Sequence, residues 1–190
     1  MPSNAYAGRL VPLLRDAEEL NDAYTQLQGV PALRRFATAA LNRAVVVMCI
    51  SAWEAYIEER VCESLHALQT PVPHPGLVQA LNELLRDDLD RFNTPSARNV
   101  QSLLRQTLGV ADIRRSWYWP GMTIPQAASA LGLALSLRHQ IAHGVHPRPI
   151  VHSHYTSQLP DFFRRLGRRT DVAVRQRLVN HHGIPAPWPP

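Results

Sequence analysis

The chain has 190 residues, 45% of them hydrophobic, with a net charge of +5 and a pI of about 9.9. That length suits one domain, and that apolar share fills a substantial core, which excludes a disordered chain. All twenty basic residues are arginine. Arginine holds phosphate through paired donors and stacks on bases, so the charge suits nucleic acid, although a solvated basic face has the same composition.

No charged-then-apolar leader opens the chain, so no signal peptide is expected. The most apolar stretch, Ala44 to Trp53, is broken by Glu54 and falls short of the roughly 20 residues of a membrane span. The expectation is a cytoplasmic protein with no membrane contact. Cys49 and Cys62 fall in one predicted helix, roughly 20 Å apart at the helical rise, too far for an internal disulfide. They are expected as buried, reduced thiols.

The pattern is helical almost throughout. A first helix is predicted from Tyr6 to Gln28, with Gly29 as its C-terminal stop. Pro31 opens a second, long helix reaching Gln69, before the break Thr70-Pro71-Val72-Pro73-His74-Pro75. Its middle, Val45 to Ile50, is apolar on every side. Alone it would pass for a buried strand, but its helical flanks decide for a helix central to the core. A third helix is predicted from Gly76 to Arg91. Thr94-Pro95-Ser96 starts a fourth, which Gly109 closes. Val110 to Gly121 reads as an ordered connection rich in aromatic residues. Thr123 caps a fifth helix that ends at His143, with Gly144 beyond. His146 to Pro149 is a turn, and a last helix spans Thr156 to Asn180. The prediction is an all-α fold: one helical bundle of five or six helices over residues 1–183, with an extended proline-rich tail at 184–190.

On a wheel of about 100° per residue the fifth helix has an unusual distribution. Ala130, Ala134, Leu137 and Ile141 share one narrow sector, expected to face the core. Leu131, Leu135, Arg138, His139, Ala142 and His143 form a second sector, apolar at its start and cationic at its end. Ser129, Ser136 and Gln140 face solvent. An apolar stripe beyond the core face suggests contact with another helix or a second copy. In a two-fold dimer, Arg138 and His143 of both chains would converge on one cleft.

A helix C-terminus carries partial negative charge that favours cations. Imidazole gives or takes a proton near neutral pH, and guanidinium holds phosphate. Together they suit phosphodiester cleavage: an imidazole serves the 2′-hydroxyl or the leaving 5′-oxygen, and the arginine stabilises the charged phosphorane. Spacing alone does not separate this from simple cationic complementation of a helix end.

The Arg138-His139-Gln140-Ile141-Ala142-His143-Gly144 segment resembles the Arg-x4-His motif of HEPN domains. Upstream, Leu41 to Val47 leading into Ser51 to Ile57 resembles the early long helix of the RiboL-PSP type of HEPN domain. Phe92 to Ser96 and Trp117-Tyr118-Trp119 follow in that group's order, so the likeness covers about residues 35 to 180. It implies a helical bundle that dimerises into a composite site. It implies an endoribonuclease needing neither metal nor cofactor and leaving a 2′,3′-cyclic phosphate. Arg138 and His143 would be catalytic and His139 auxiliary. It also implies a toxin or anti-phage defence setting, with RNA as substrate and an antitoxin protein as possible partner. The alternative is a non-catalytic HEPN module that binds RNA or a partner protein.

Other residues complete the list of candidates. Glu54, beside the most buried stretch, needs a cation, Arg138 or Arg43, unless it shares an exposed face with Glu58. His139 and His143, one turn apart, lack the further ligands of a zinc site, so no metal is expected. His152, His154, His181 and His182 are expected in solvent. Arg164, Arg165, Arg168 and Arg169, with Arg175 and Arg177, either track RNA phosphates, meet an acidic partner or form a solvated face. Trp117, Tyr118 and Trp119 either stack bases or pack in the core.

Overall fold

The structure, a computed structural model, describes residues 1–30, 37–70, 74–145, 150–185 and 187–188. A π-helical segment, Ala5–Leu10, runs directly into α1, Val11–Leu27. The remaining helices are α2 (Ala37–Gln69), α3 (Pro75–Asp90), α4 (Ala97–Leu108), α5 (Ile124–Ala142) and α6 (Ser153–His182), with a 3-10 turn at Ile113–Ser116. No strand occurs among the described residues. The all-α bundle is as expected. The start of the second helix at Pro31, the core of the break at 71–73 and the turn at 146–149 lie outside the described residues.

The boundaries follow local chemistry. The Ser96 hydroxyl accepts the Asn99 N–H at the head of α4, and Gly109 (φ 65°) closes that helix in the left-handed region, where a Cβ is costly. Asp112 caps the 3-10 turn through the Arg114 N–H. Pro160 lies inside α6, where it leaves the carbonyl four residues back without its helical donor. That carbonyl belongs to Thr156, and the Asn21 amide of α1 donates to it at 3.1 Å. The proline is therefore tolerated because a neighbouring helix supplies the missing donor.

α2 is the central element. Val45, Val46, Cys49, Ile50, Trp53, Tyr56, Ile57 and Val61 are all fully buried, and the helix packs against α1, α4, α5 and α6. Its 38–69 span is long and apolar enough to cross a membrane by length and composition alone, and half of its most apolar window is buried inside the bundle. A core helix enclosed by four others has that same character. Trp53 donates to the Pro95 carbonyl at 3.0 Å, and Trp117 donates to the Thr170 hydroxyl at 3.0 Å. Both indoles are thus buried with their one donor satisfied. Cys49 is buried and reduced, with its thiol pushed up to about 12 by burial. Cys62 is exposed, which corrects the expectation that both thiols are buried: position 62 falls on the solvent side of α2.

A polar node sits where α2 meets α6 and the N-terminal segment. The Arg60 side chain is fully buried. Its Nε lies 3.1 Å from Asp171 Oδ1, its Nη1 donates to the Ser64 hydroxyl at 2.8 Å, and Glu63 lies 3.8 Å away. Its guanidinium lies over the Trp188 ring, 3.6 Å from the centroid. Asp171 also accepts the Ser3 N–H at 3.1 Å and the Ser3 hydroxyl. Glu63 accepts the Asn4 and Ala5 N–H groups at 3.0 and 3.2 Å. Trp188, expected in an extended tail, is only 5% exposed.

Nearby, the N-terminal segment crosses α6 at Gly167, whose carbonyl accepts the Tyr56 hydroxyl at 3.0 Å. A Cβ at 167 would collide with the buried Leu10 side chain and touch the Tyr6 ring at 3.4 Å. Gly167→Ala is expected to lower stability by about 1–3 kcal/mol, seen as an earlier urea midpoint; an unchanged midpoint would mean that Leu10 and Tyr6 retreat freely. Asp171→Ala, which strands a buried guanidinium, is expected to cost about 3–5 kcal/mol. A loss under 1 kcal/mol in the same titration would show that Glu63 and Trp188 suffice for Arg60.

Candidate active site

The geometry of the site begins with how α5 is fixed at both ends. At its start Thr123 and Gln126 form a reciprocal capping box: the Gln126 N–H donates to Thr123 Oγ1, and the Thr123 N–H donates to Gln126 Oε1. At its end the Val145 N–H reaches the Gln140 carbonyl at 2.9 Å, and the Gly144 N–H reaches the Ile141 carbonyl at 3.1 Å. With Gly144 at φ 68°, this is a Schellman closure, in which the left-handed position favours glycine. His143 is the capping residue itself, so its side chain leaves the helix where the carbonyl ends concentrate negative potential.

Arg138, His139 and His143 come together on this end. The two imidazoles lie 4.3 Å apart between centroids, tilted by 58°, and both are exposed. Arg138 is half-buried. Across from it, on α2, stands the half-buried Glu54. Burial pushes the Glu54 carboxyl up, and the Arg138 charge pulls it down. Of the two cations weighed from the sequence, Arg138 is the one that acts on Glu54. Glu58 also lies close enough to feel Glu54, so the carboxylate belongs to both neighbourhoods. Among the described residues no carboxylate closes to within 4.0 Å of Arg138, which leaves its donors open to another anion.

The packing of α5 differs in part from the wheel. Ala127, Leu131, Ala134 and Leu137 are its buried residues. Leu131 therefore belongs to the core rather than to a second, outward stripe, while Ala130 and Ile141 are only half-buried. The true core sector is rotated towards Leu131 because α5 rests on α2 and the 3-10 turn together. What remains outward along this side is Leu135, half-buried, with Ala142 and the two histidines exposed.

A residue the sequence did not single out for the site supports the segment that follows it. Asn42 of α2 is buried, donates to the Val151 carbonyl at 3.1 Å and accepts the Thr156 hydroxyl at 3.2 Å. It fixes the chain where it returns from α5 into α6. A lone asparagine one turn ahead of a long apolar run was its only sequence signal.

The other candidates lie elsewhere. His152, His154, His181 and His182 are exposed; His154 contacts Gln158, and His182 contacts the Leu108 carbonyl. Among the described residues no three His, Cys, Asp or Glu side chains converge to hold a metal. The aromatic triplet divides: Trp117 is buried, Trp119 half-buried against Phe162, and Tyr118 54% exposed. Arg164 pairs with Glu18 at 2.6 Å and Arg165 with Asp161 at 2.8 Å. These arginines line a groove with Trp119 and Tyr6, at the opposite end of α5 from His143.

The RiboL-PSP-HEPN family model matches residues 12–175. A search of curated proteins and a search of solved structures returned no match. With most of its length matched, the chain belongs to the RiboL-PSP-HEPN family.

The carboxylates of α2 yield a pH-dependent prediction. Burial first, and the neighbouring Glu54 second, raise the Glu58 carboxyl, with Arg9 opposing. An acid raised on folding favours the fold in its protonated form. Its contribution is complete below the unfolded value of about 4.3 and is lost as pH rises through the folded one. Glu58→Gln keeps the neutral form at every pH, so its melting temperature should exceed the parent's at pH 7, with the gap closing below about pH 4. A gap that widens on acidification would contradict this.

Proposed function

We propose that the chain is a metal-independent endoribonuclease in which Arg138 and His143 are catalytic. The observation that carries this reading is the cluster itself. A half-buried guanidinium with open donors stands directly before paired, exposed imidazoles at a helix end in a HEPN-family chain. In the reaction an imidazole takes the proton of a ribose 2′-hydroxyl, whose oxygen attacks the adjacent phosphorus. The P–O5′ bond breaks, the 5′-oxygen receives a proton, and the products are a 2′,3′-cyclic phosphate and a 5′-hydroxyl. Arg138 offsets the charge that builds on the phosphorane, and Glu54 orients Arg138 from behind. His139, tilted beside His143, supplies a second imidazole.

Two copies are expected to form the working site, each presenting the outer side of its α5. The half-buried Leu135 and exposed Ala142 that lead to the histidines support such a contact, because an apolar approach lets cationic ends meet at one cleft. The setting we propose is that of a toxin or defence effector held in check by an antitoxin protein; a basic chain with net charge +5 suits an acidic partner.

The test is incubation of the purified protein with structured and unstructured RNA in EDTA, beside Arg138→Ala and His143→Ala. The wild type should cleave and leave cyclic-phosphate ends. Each variant should lose roughly 10²–10⁴-fold in rate while keeping the parent's helical circular dichroism and melting temperature. Variants that cut as fast as the wild type would remove these residues from catalysis. Saturable RNA binding by a well-folded wild type that cuts no RNA would favour a binding module instead.

A further inference from the structure

The grooves along α6 have no role in the cleavage chemistry. One, of about 570 Å³, is lined by Tyr6, Trp119, Arg164, Arg165, Arg168 and Arg169, among others. A second, of about 680 Å³, is lined by Arg115, Tyr118, Arg169 and Arg177, among others. A third, of about 500 Å³, includes Tyr6, Arg168 and Arg175. They share Val172, so they form one continuous grooved surface. From Asp161 to Arg177 it runs about 24 Å at the helical rise.

The charges on this surface are unevenly spent. The acids nearby are consumed: Glu18 by Arg164, Asp161 by Arg165, Asp112 by Arg114 and Arg115, and Asp171 by the buried Arg60. Arg168, Arg169 and Arg175 have no carboxylate within 4.0 Å among the described residues. Arg168 and Arg175 stand two turns apart on the same stripe, and Arg169 leans over the Tyr118 ring at 5.2 Å. Tyr118 is nonetheless 54% exposed, a large aromatic face left in solvent beside unpaired guanidinium groups. Elongated shape, unpaired cations and an open aromatic ring together fit a flexible polyanion that carries planar groups. An acidic peptide would use the cations and leave the ring unexplained.

We propose that α6 carries a track for single-stranded nucleic acid, with Arg168, Arg169 and Arg175 on the phosphates and Tyr118 under a base. This deepens the ribonuclease reading, on which it rests for the identity of the natural strand as RNA, and narrows the cationic set: Arg164 and Arg165, both ion-paired, brace the groove rather than hold the ligand. The track is not the cleavage site. Tyr118 and Trp119 precede the first turn of α5 and His143 follows its last, a separation of about 28 Å for nineteen residues at the helical rise.

The experiment is fluorescence anisotropy in EDTA with labelled oligouridylate and oligothymidylate of about a dozen nucleotides. The protein is the full chain carrying His143→Ala, so that the probe stays intact. The triple variant Arg168→Gln, Arg169→Gln, Arg175→Gln should bind both probes more weakly. The slope of log affinity against log salt should shrink by about 2, at roughly 0.7 per lost phosphate contact. Tyr118→Ala should weaken binding roughly tenfold with the slope unchanged. Equal melting temperatures establish that each variant is folded. Equal affinity and slope in the triple variant would overturn the track, as would absence of salt-dependent binding in the parent. Capture of polyglutamate with no oligonucleotide binding would also overturn it, in favour of an acidic protein. Track-dependent binding in a wild type that cuts no RNA would sink the ribonuclease reading and leave the track standing; cleavage of long RNA unaffected by the triple variant would do the reverse.

Discussion

A guanidinium cannot be taken out of water without replacement partners, and Arg60 is entirely out of water. Burial pushes its pKa down, opposed by the nearby acids, yet arginine does not release its proton in practice. The fold must therefore bring partners to it. They come from four parts of the chain: Glu63 and Ser64 from its own helix, Asp171 from α6, Ser3 through Asp171, and Trp188 from the tail. Nε and Nη2 make no hydrogen bond; Nε is answered by the Asp171 carboxylate 3.1 Å away, and the Trp188 ring faces the guanidinium through its π face. One desolvated cation thus ties both ends of the chain to the middle. Its worth is less in net stability than in uniqueness of arrangement, because any other pairing of these segments strands a charge.

This constraint has consequences for two surfaces. Asp171 turns inward to Arg60, which removes a carboxylate from the face of α6 that carries Arg168 and Arg175. The basic character of that face is thereby a product of core electrostatics as well as of arginine count. On α2, Glu54 precedes Arg60 by six residues, about 9 Å along the helix. The element locked by the buried node is the same one that presents a carboxylate to Arg138. A rotation of α2 that relieved Arg60 would carry Glu54 away from α5.

Much of this was legible in the sequence, for reasons that can be named. Helices were readable where their ends carry local chemistry: Ser96 and Thr123 at starts, Gly109 and Gly144 in the left-handed region at ends; the end of α6 at Gly183, past the predicted Asn180, was not. The His139–His143 pairing was readable because residues four apart on a helix are neighbours whatever surrounds them, with Arg138 next to His139 in sequence. What escaped depends on contacts remote in sequence. Leu131 was assigned outward because the wheel fixes angles and not the direction of the core. Cys62 was assigned inward because α2 is apolar all round only in its first half. The docking of Trp188 needed Arg60, and a proline-rich tail gives no local sign of a cation waiting for it. The rescue of Pro160 by Asn21 was equally hidden, since the helix shows the loss and only the neighbouring helix shows the remedy.

The placement of the motif at a helix end follows from the same physics. An Arg and two His in mid-helix would be flanked by side chains on all sides and would meet no field of definite sign. At the end of α5 the last carbonyls supply negative potential that accommodates the gathering of cations. The Schellman closure at Gly144 ends the helix at His143, whose side chain is exposed. Asn42 then holds the returning strand of backbone at Val151, which fixes where α6 begins. The histidines therefore stand exposed at the helix end, beside a half-buried Arg138 whose charge reaches Glu54 of α2.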